Sequence, residues 1–293
     1  MELTFLGTGM MGRPMIENLL ADGDRVTVWN RTAGKAHPLA EKGASVAASA
    51  LVACAGARVV LSCLADDRSV RAVFEDPELL DALGDGAVHV SMTTISPGCA
   101  RDLARLHAEH GVAYLAAPIL GRPDFVAERK QAHLLSGEAG AKEAVRPLLE
   151  RVGRKVIDLG EEPGAANVSK VAFNFLIASA IEAMSEAFAV VEASGLDPRA
   201  FHEMITATLF GCPLYEGYGR QILDRSYREP GFKLTLGLKD VGLAQQTASA
   251  AGARMPLADL LEKRFEAALE HGRGDMDWSA VAAEAREDAG LEA

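Results

Sequence analysis

Over the first half of the chain, short apolar runs alternate with stretches whose apolar residues recur at helical intervals; over the second half, helical spacing alone persists. Residues 3–6 form the first run and read as a strand, and residues 14–20 carry helical spacing. Further strands are predicted at 25–29, 58–64 and 87–91. Helices are predicted over 67–74 and, behind a Ser96-Pro97 start signal, through His110. A longer apolar run, 114–120, ends in a turn at Gly121-Arg122-Pro123. A strand at 133–136, a helix of Ala, Glu and Leu, and a last strand at 155–159 follow. Such alternation predicts a parallel sheet with helices on both faces, and ligands gather at the C-terminal ends of its strands.

The stretch Gly160-Glu161-Glu162-Pro163-Gly164 breaks this pattern. From Ala165, neither Pro nor Gly occurs until Gly195. The intervening Ala, Ile, Val, Glu and Met predict one long helix, with Lys170 and Asn174 at i and i+4 on one face. Beyond it, helical patterns are parted by short loops near Gly195, Pro213, Pro230 and Gly252. The expectation is an α/β fold: an N-terminal domain, 1–162, with a parallel sheet, joined by the long helix to an all-α domain, 163–293. The tail after Gly272, acidic and alanine-rich, reads as an end that frays.

Composition narrows the partners. A chain of 293 residues, 49% hydrophobic and 24% charged, is globular and long enough for two domains. With 30 Lys+Arg against 41 Asp+Glu the net charge is -11, which disfavours nucleic acid and anionic membrane as partners. No apolar run is expected to span a membrane, and Glu2 stands where a signal peptide would be basic, so the expected location is cytoplasmic. Cys54, Cys63, Cys99 and Cys212 show no paired spacing, which argues against a metal site and a disulfide framework and for small buried residues.

The candidate chemistry begins directly after the first strand. Gly7-Thr8-Gly9-Met10-Met11-Gly12 has the GxGxxG spacing between a strand and a helix. The first glycine permits the turn, the second lets backbone approach a pyrophosphate, and the third lets the helix pack on the strand. After the second strand an acidic residue would accept the ribose hydroxyls of NAD; here stand Asn30-Arg31-Thr32, with Lys35 one turn on. Arg31 can pair with a 2′-phosphate and Thr32 can donate to it, so NADP(H) is preferred and NAD(H) remains possible. Leu64, Ala65 and Thr94 lie at two further strand ends, where cofactor contact and plain strand-to-helix turn chemistry both account for them.

These landmarks, together with Thr93 to Pro97, Gly164 before Lys170 and Asn174, and Lys239-Asp240 with Leu243-Ala244, resemble the β-hydroxyacid dehydrogenase family over nearly the whole chain. The resemblance implies a Rossmann domain joined through the long helix to an all-α domain that makes most subunit contacts in a homodimer or homotetramer. It implies that Lys170 is the general acid/base and that Asn174 helps hold the substrate oxygen. It also implies that Leu64 and Thr94 touch the cofactor and that Lys239 closes over it. The substrate would be a small carbonyl compound or the matching hydroxy acid.

A lysine desolvated in a cleft can have its pKa lowered toward neutrality and pass a proton to the reacting oxygen. Family members usually carry a serine and two glycines where this chain has Leu120, Gly121 and Arg122, and Phe173 replaces the first of two asparagines. Either Arg122 takes over recognition of an anionic substrate through its guanidinium fork, or it faces solvent and the substrate is larger and less charged. Residues 209–215, with Leu209, Phe210 and Tyr215, read as core or as a further apolar wall near a subunit interface. Two alternatives share the cofactor motif: an imine reductase, against which retention of Lys170 argues, and a non-catalytic NADP(H)-binding protein, against which the Lys170 and Asn174 pair argues. The 6-phosphogluconate dehydrogenases, with a much longer C-terminal domain and a more basic site, rank below both.

Overall fold

The structure, a computed structural model, describes residues 1–83 and 86–292. It divides into two compact units, Met1–Lys170 and Val171–Ala293. In the first, β1 (Glu2–Leu6), α1 (Gly12–Ala21), β2 (Arg25–Trp29), α2 (His37–Ala40), β3 (Ser45–Val46), α3 (Ala50–Cys54) and β4 (Val59–Ser62) make one half of the sheet and its cover. The half continues into α4 (Asp67–Phe74), α5 (Pro77–Leu83), β5 (Val88–Ser91), α6 (Pro97–Glu109) and β6 (Ala113–Ala116). After these come β7 (Ile119–Leu120), α7 (Pro123–Ala127), β8 (Ala132–Gly137), α8 (Ala139–Val152) and β9 (Lys155–Asp158).

Strands β3-β2-β1-β4-β5-β6 lie side by side and parallel, in the order that places a switch point between β1 and β4. Period-two alternation sends neighbouring side chains to opposite faces. Phe5, Leu61 and Leu115 enter the core beneath α1, with Met15, Ile16 and Leu19. Leu6, Val60 and Tyr114 enter the opposite core, with Val70, Phe74 and Leu103. Ser96 caps α6 by accepting from Cys99 N at 3.1 Å, with Pro97 in its first turn.

The sheet is parallel, as expected, through β6; beyond it β8 runs antiparallel to β6 and β7, while β9 is parallel to β8. The apolar run 114–120 is two strands, parted at Ala117-Pro118. A return of only eleven residues, 121–131, holding the short α7, leads from β7 to β8, and parallel pairing would require a longer crossover.

A buried polar chain crosses the second of these cores. His107 Nδ1 lies 2.7 Å from the Leu103 carbonyl, which only accepts, so that nitrogen carries the proton. His107 Nε2 then accepts from His89 Nδ1 at 2.9 Å, and His89 Nε2 accepts from Ser62 Oγ at 2.8 Å. Phe74 stacks on His89 with ring centroids 3.7 Å apart. Burial pushes His107 down to about 4 and His89 well below the ordinary imidazole value.

The long helix α9 (Ala165–Ala193) passes from the first unit into the second, which also holds α10 (Pro198–Thr206), α11 (Pro213–Leu223), α12 (Leu234–Ala250), α13 (Pro256–Glu270) and α14 (Ala282–Asp288). Its core gathers Ile181, Met184, Phe188, Phe265 and Trp278, whose Nε1 donates to Tyr218 Oη at 2.9 Å. Two expectations change here. By length and composition α9 could cross a membrane, although half of its most apolar stretch is buried within the protein. The tail is packed over residues 277–285 rather than frayed: Trp278 is buried there with Ala280, Ala282 and Ala283, whose small side chains permit close packing. In the 209–215 stretch Leu209 is 92% exposed and Phe210 lies against Tyr215, while Leu214 and Tyr215 are half-buried against the core of this unit. Of the cysteines, Cys54 and Cys99 are buried, Cys63 is half-buried and Cys212 is exposed.

Candidate active site

The crevice starts where β1 ends. Gly7 has φ +100°, and a Cβ there would lie 2.2 Å from the Cys63 carbonyl at the exit of β4. A Cβ on Gly12 would lie 2.1 Å from the Gly7 carbonyl. These two glycines are required by the fold itself. Gly9 is different: a Cβ would meet no atom within 4 Å. No side chain caps α1 and no acid lies in its first turn, so the amides at Met10, Met11 and Gly12 face an open cradle that a side chain on Gly9 would fill. Beside it the buried Thr8 hydroxyl lacks a hydrogen-bond partner. A dinucleotide pyrophosphate fits this arrangement.

At the end of β2, Asn30 braces the loop. Its Oδ1 accepts from Thr8 N at 3.1 Å, and its Nδ2 donates to the Thr32 carbonyl at 2.9 Å. Arg31, Thr32 and Lys35 are exposed beyond it. Across the switch point, Leu64 N donates to Thr93 Oγ1 at 2.9 Å, tying the exits of β4 and β5. Ala65 is exposed and Thr94 half-buried. The resemblance assigns the cofactor contact to Thr94, whereas the tie itself is made by its neighbour Thr93, whose partner lies 29 residues away. At the exit of β7, Leu120 is half-buried and Gly121 exposed. Arg122 has Nε 3.4 Å from Asp124 Oδ1 and Nη2 3.5 Å from Oδ2, with its side chain 42% exposed.

The first turn of α9 is pinned to the sheet of its own unit. Ala166 N donates to Ser136 Oγ, which donates to the Pro163 carbonyl, and Asn167 Nδ2 donates to the Ile95 carbonyl. One turn on from these contacts Lys170 is buried. Asn174, one turn further, is buried in the second unit, where its Nδ2 donates to Asp240 Oδ2 at 2.5 Å. Lys239 Nζ lies 3.0 Å from Asp240 Oδ1, an ion pair that leaves Oδ1 without a hydrogen-bond donor. Asp240 therefore orients Asn174 and balances Lys239. The Lys239-Asp240 dipeptide was its signal in the sequence. Phe173 is 40% exposed.

In the second unit His271, Glu284 and Glu287 converge, with ligand atoms within 4.8 Å of one another. Arg273 already bridges both carboxylates, so the cluster is neutralised by a guanidinium.

A doubly wound sheet that bares helix amides at its switch point receives a nucleotide cofactor, and the relatives identify it: the chain is a nicotinamide-dependent oxidoreductase of the dehydrogenase class. Residues 2–160 match the NAD binding domain of 6-phosphogluconate dehydrogenase, and residues 164–284 match the NAD-binding family of NADP-dependent 3-hydroxyisobutyrate dehydrogenase. The Bacillus subtilis oxidoreductase YfjR is 42% identical, with 96% of this chain and 98% of that one covered. The Mycobacterium tuberculosis 3-hydroxyisobutyrate dehydrogenase solved with L-serine superposes with a TM-score of 0.89 at 30% identity, covering 97% and 99%. An Aspergillus terreus reductive aminase with NADPH, cyclohexanone and allyl amine is more distant in shape, at a TM-score of 0.64 and 28% identity over 97% and 98%. The chain belongs to the β-hydroxyacid dehydrogenase family.

Proposed function

We propose that the enzyme interconverts a small hydroxy acid and its carbonyl form using NADP(H), with Lys170 as the proton carrier. The bound nicotinamide supplies or accepts the hydride. Lys170 gives a proton to the carbonyl oxygen in reduction and removes it from the hydroxyl in oxidation. Asn174, its amide oriented by Asp240, helps hold the same oxygen. The observation that carries the reading is the buried Lys170 one turn before the buried Asn174 on α9. Arg122, which stands where the family's serine and glycine are lost and whose side chain is 42% exposed at the exit of β7, serves as the substrate carboxylate's partner.

The lower similarity to the reductive aminase favours this reading over imine reduction. The domain boundary is proposed at 162/163, and the four unpaired cysteines suit a reducing cytoplasm. The exposed Leu176 and Val190 on α9 suit a dimer or tetramer.

The test follows NADPH and NADH consumption with glyoxylate, succinic semialdehyde, larger apolar aldehydes and a cyclic imine, beside Lys170→Ala and Arg122→Ala. Activity on acid-bearing aldehydes that vanishes in the first variant and loses apparent affinity in the second is expected. Turnover of the cyclic imine far above every aldehyde, or undiminished turnover by Lys170→Ala, would overturn it.

A further inference from the structure

Between residues 31 and 37 the chain presents several donors to solvent. Arg31, Thr32, Lys35 and His37 are all exposed, and among the described residues none of their side chains makes a hydrogen bond or ion pair. Arg31 and His37 line one cavity of about 420 Å³ at the exits of β2 and β3. Its other walls are Trp29 and small or apolar residues such as Val46 and Ala47, with no carboxylate among them. Asn30 also lines it, but both ends of its amide are engaged, by Thr8 N and the Thr32 carbonyl. The polar groups left for a ligand in this cavity are therefore a guanidinium and an imidazole. Carboxylates nearby in the chain do not compete: Glu17 is held by Lys42 at 2.8 Å and Arg13 at 2.9 Å, and Glu41 is outside the lining.

We propose that His37 is a specificity-determining contact in this cavity, donating a ring N–H to an oxygen of the 2′-phosphate that the NADP(H) reading already gives to Arg31. The inference rests on the NADP(H) reading above and adds a residue from a different element. Arg31 stands on the loop after β2, whereas His37 opens α2. A phosphate dianion held by donors on two elements is discriminated from a ribose hydroxyl, which needs only one partner and prefers an acceptor. Trp29 in the cavity wall provides a spectroscopic signature of occupancy.

The experiment measures binding, without substrate, of NADPH, NADH and adenosine 2′,5′-bisphosphate by calorimetry and by quenching of tryptophan emission. It uses the full chain and its Arg31→Ala, His37→Ala and His37→Asn variants. His37→Ala is expected to weaken NADPH and the bisphosphate roughly three- to tenfold and NADH less than about twofold, the size of one charge-assisted hydrogen bond at an exposed site. His37→Asn, which keeps a donor, is expected to recover part of the loss. Equal weakening of NADPH and NADH by His37→Ala would make His37 a packing residue and overturn the proposal, as would no change in either. If Arg31→Ala shifts NADPH while His37→Ala does not, this inference fails and the NADP(H) reading stands. If the parent chain binds NADH as tightly as NADPH and neither variant shifts their ratio, both fail.

Discussion

Acidification to about pH 5 should loosen the first unit well before its carboxylates titrate, because its imidazoles are buried neutral. Burial holds His107 and His133 at about 4, against an ordinary 6.5, and holds His89 well below that ordinary value too. Unfolding frees each of them to take up a proton that the folded state refuses, so stability is full above about pH 6.5 and falls as pH drops toward 4. From those two values, His107 and His133 each cost roughly 2 kcal/mol near pH 5, about 4 together, with His89 acting in the same direction. That is a large part of a typical domain's stability of about 5–15 kcal/mol.

In the second unit burial raises the Glu182 carboxyl to about 7 despite Arg264, so acid acts there with the opposite sign, and the readout must separate the units. Hydrogen exchange by mass spectrometry on peptides spanning β4 and β5, corrected for the intrinsic pH dependence of exchange, does so. Protection there should fall between about pH 7.5 and 5, and His107→Gln, which keeps a donor and an acceptor, should return about 2 kcal/mol of the loss. Unchanged corrected protection across that range, or an unaltered slope in His107→Gln, would refute the burial argument.

Lys170→Ala should lower kcat roughly a hundredfold to ten-thousandfold while NADPH affinity, read by calorimetry, stays within about twofold. Gly9→Ala should leave the melting temperature unchanged, since its Cβ meets nothing within 4 Å, yet weaken NADPH at least about tenfold; wild-type affinity would contradict the open cradle. Gly12→Ala forces a Cβ to 2.1 Å from the Gly7 carbonyl and should cost about 1–3 kcal/mol in urea unfolding, whether or not cofactor is present. Asp240→Asn should reduce kcat about tenfold with little change in NADPH affinity, and an unaltered kcat would show that the carboxylate does not position Asn174.

The fold was legible where pairing followed from local pattern. Strand β2 and helix α4 fall where the apolar spacing puts them, and the break at Gly160 to Gly164 precedes α9. The antiparallel return of β8 was not legible, because the short buried run His133-Leu134-Leu135-Ser136 carries no mark of direction, and only its neighbours β6 and β7 set the sense. The buried tail failed for a related reason. Alanine-rich sequence fits a solvated end and a tightly packed one equally well, and Trp278 decided between them by docking on Tyr218 and Phe232.

The candidate site divides along the same line. Gly7 to Gly12, Asn30 to Lys35, and Lys170 with Asn174 are each assembled within a few residues, so a strand end or a helical turn suffices to bring them together. Thr93 and Asp240 act on partners 29 and 66 residues away, and no local rule pairs them with Leu64 and Asn174. This long-range dependence alters how Asn174 itself must be understood. Its amide is spent on Asp240 as much as it is available to a substrate, and removing it would leave a buried carboxylate, already short of a donor on Oδ1, with one donor fewer. A rate lost on replacing Asn174 therefore combines a missing contact to the reacting oxygen with a displaced Asp240 and Lys239. Only the change that survives in an Asp240→Asn background belongs to the amide alone.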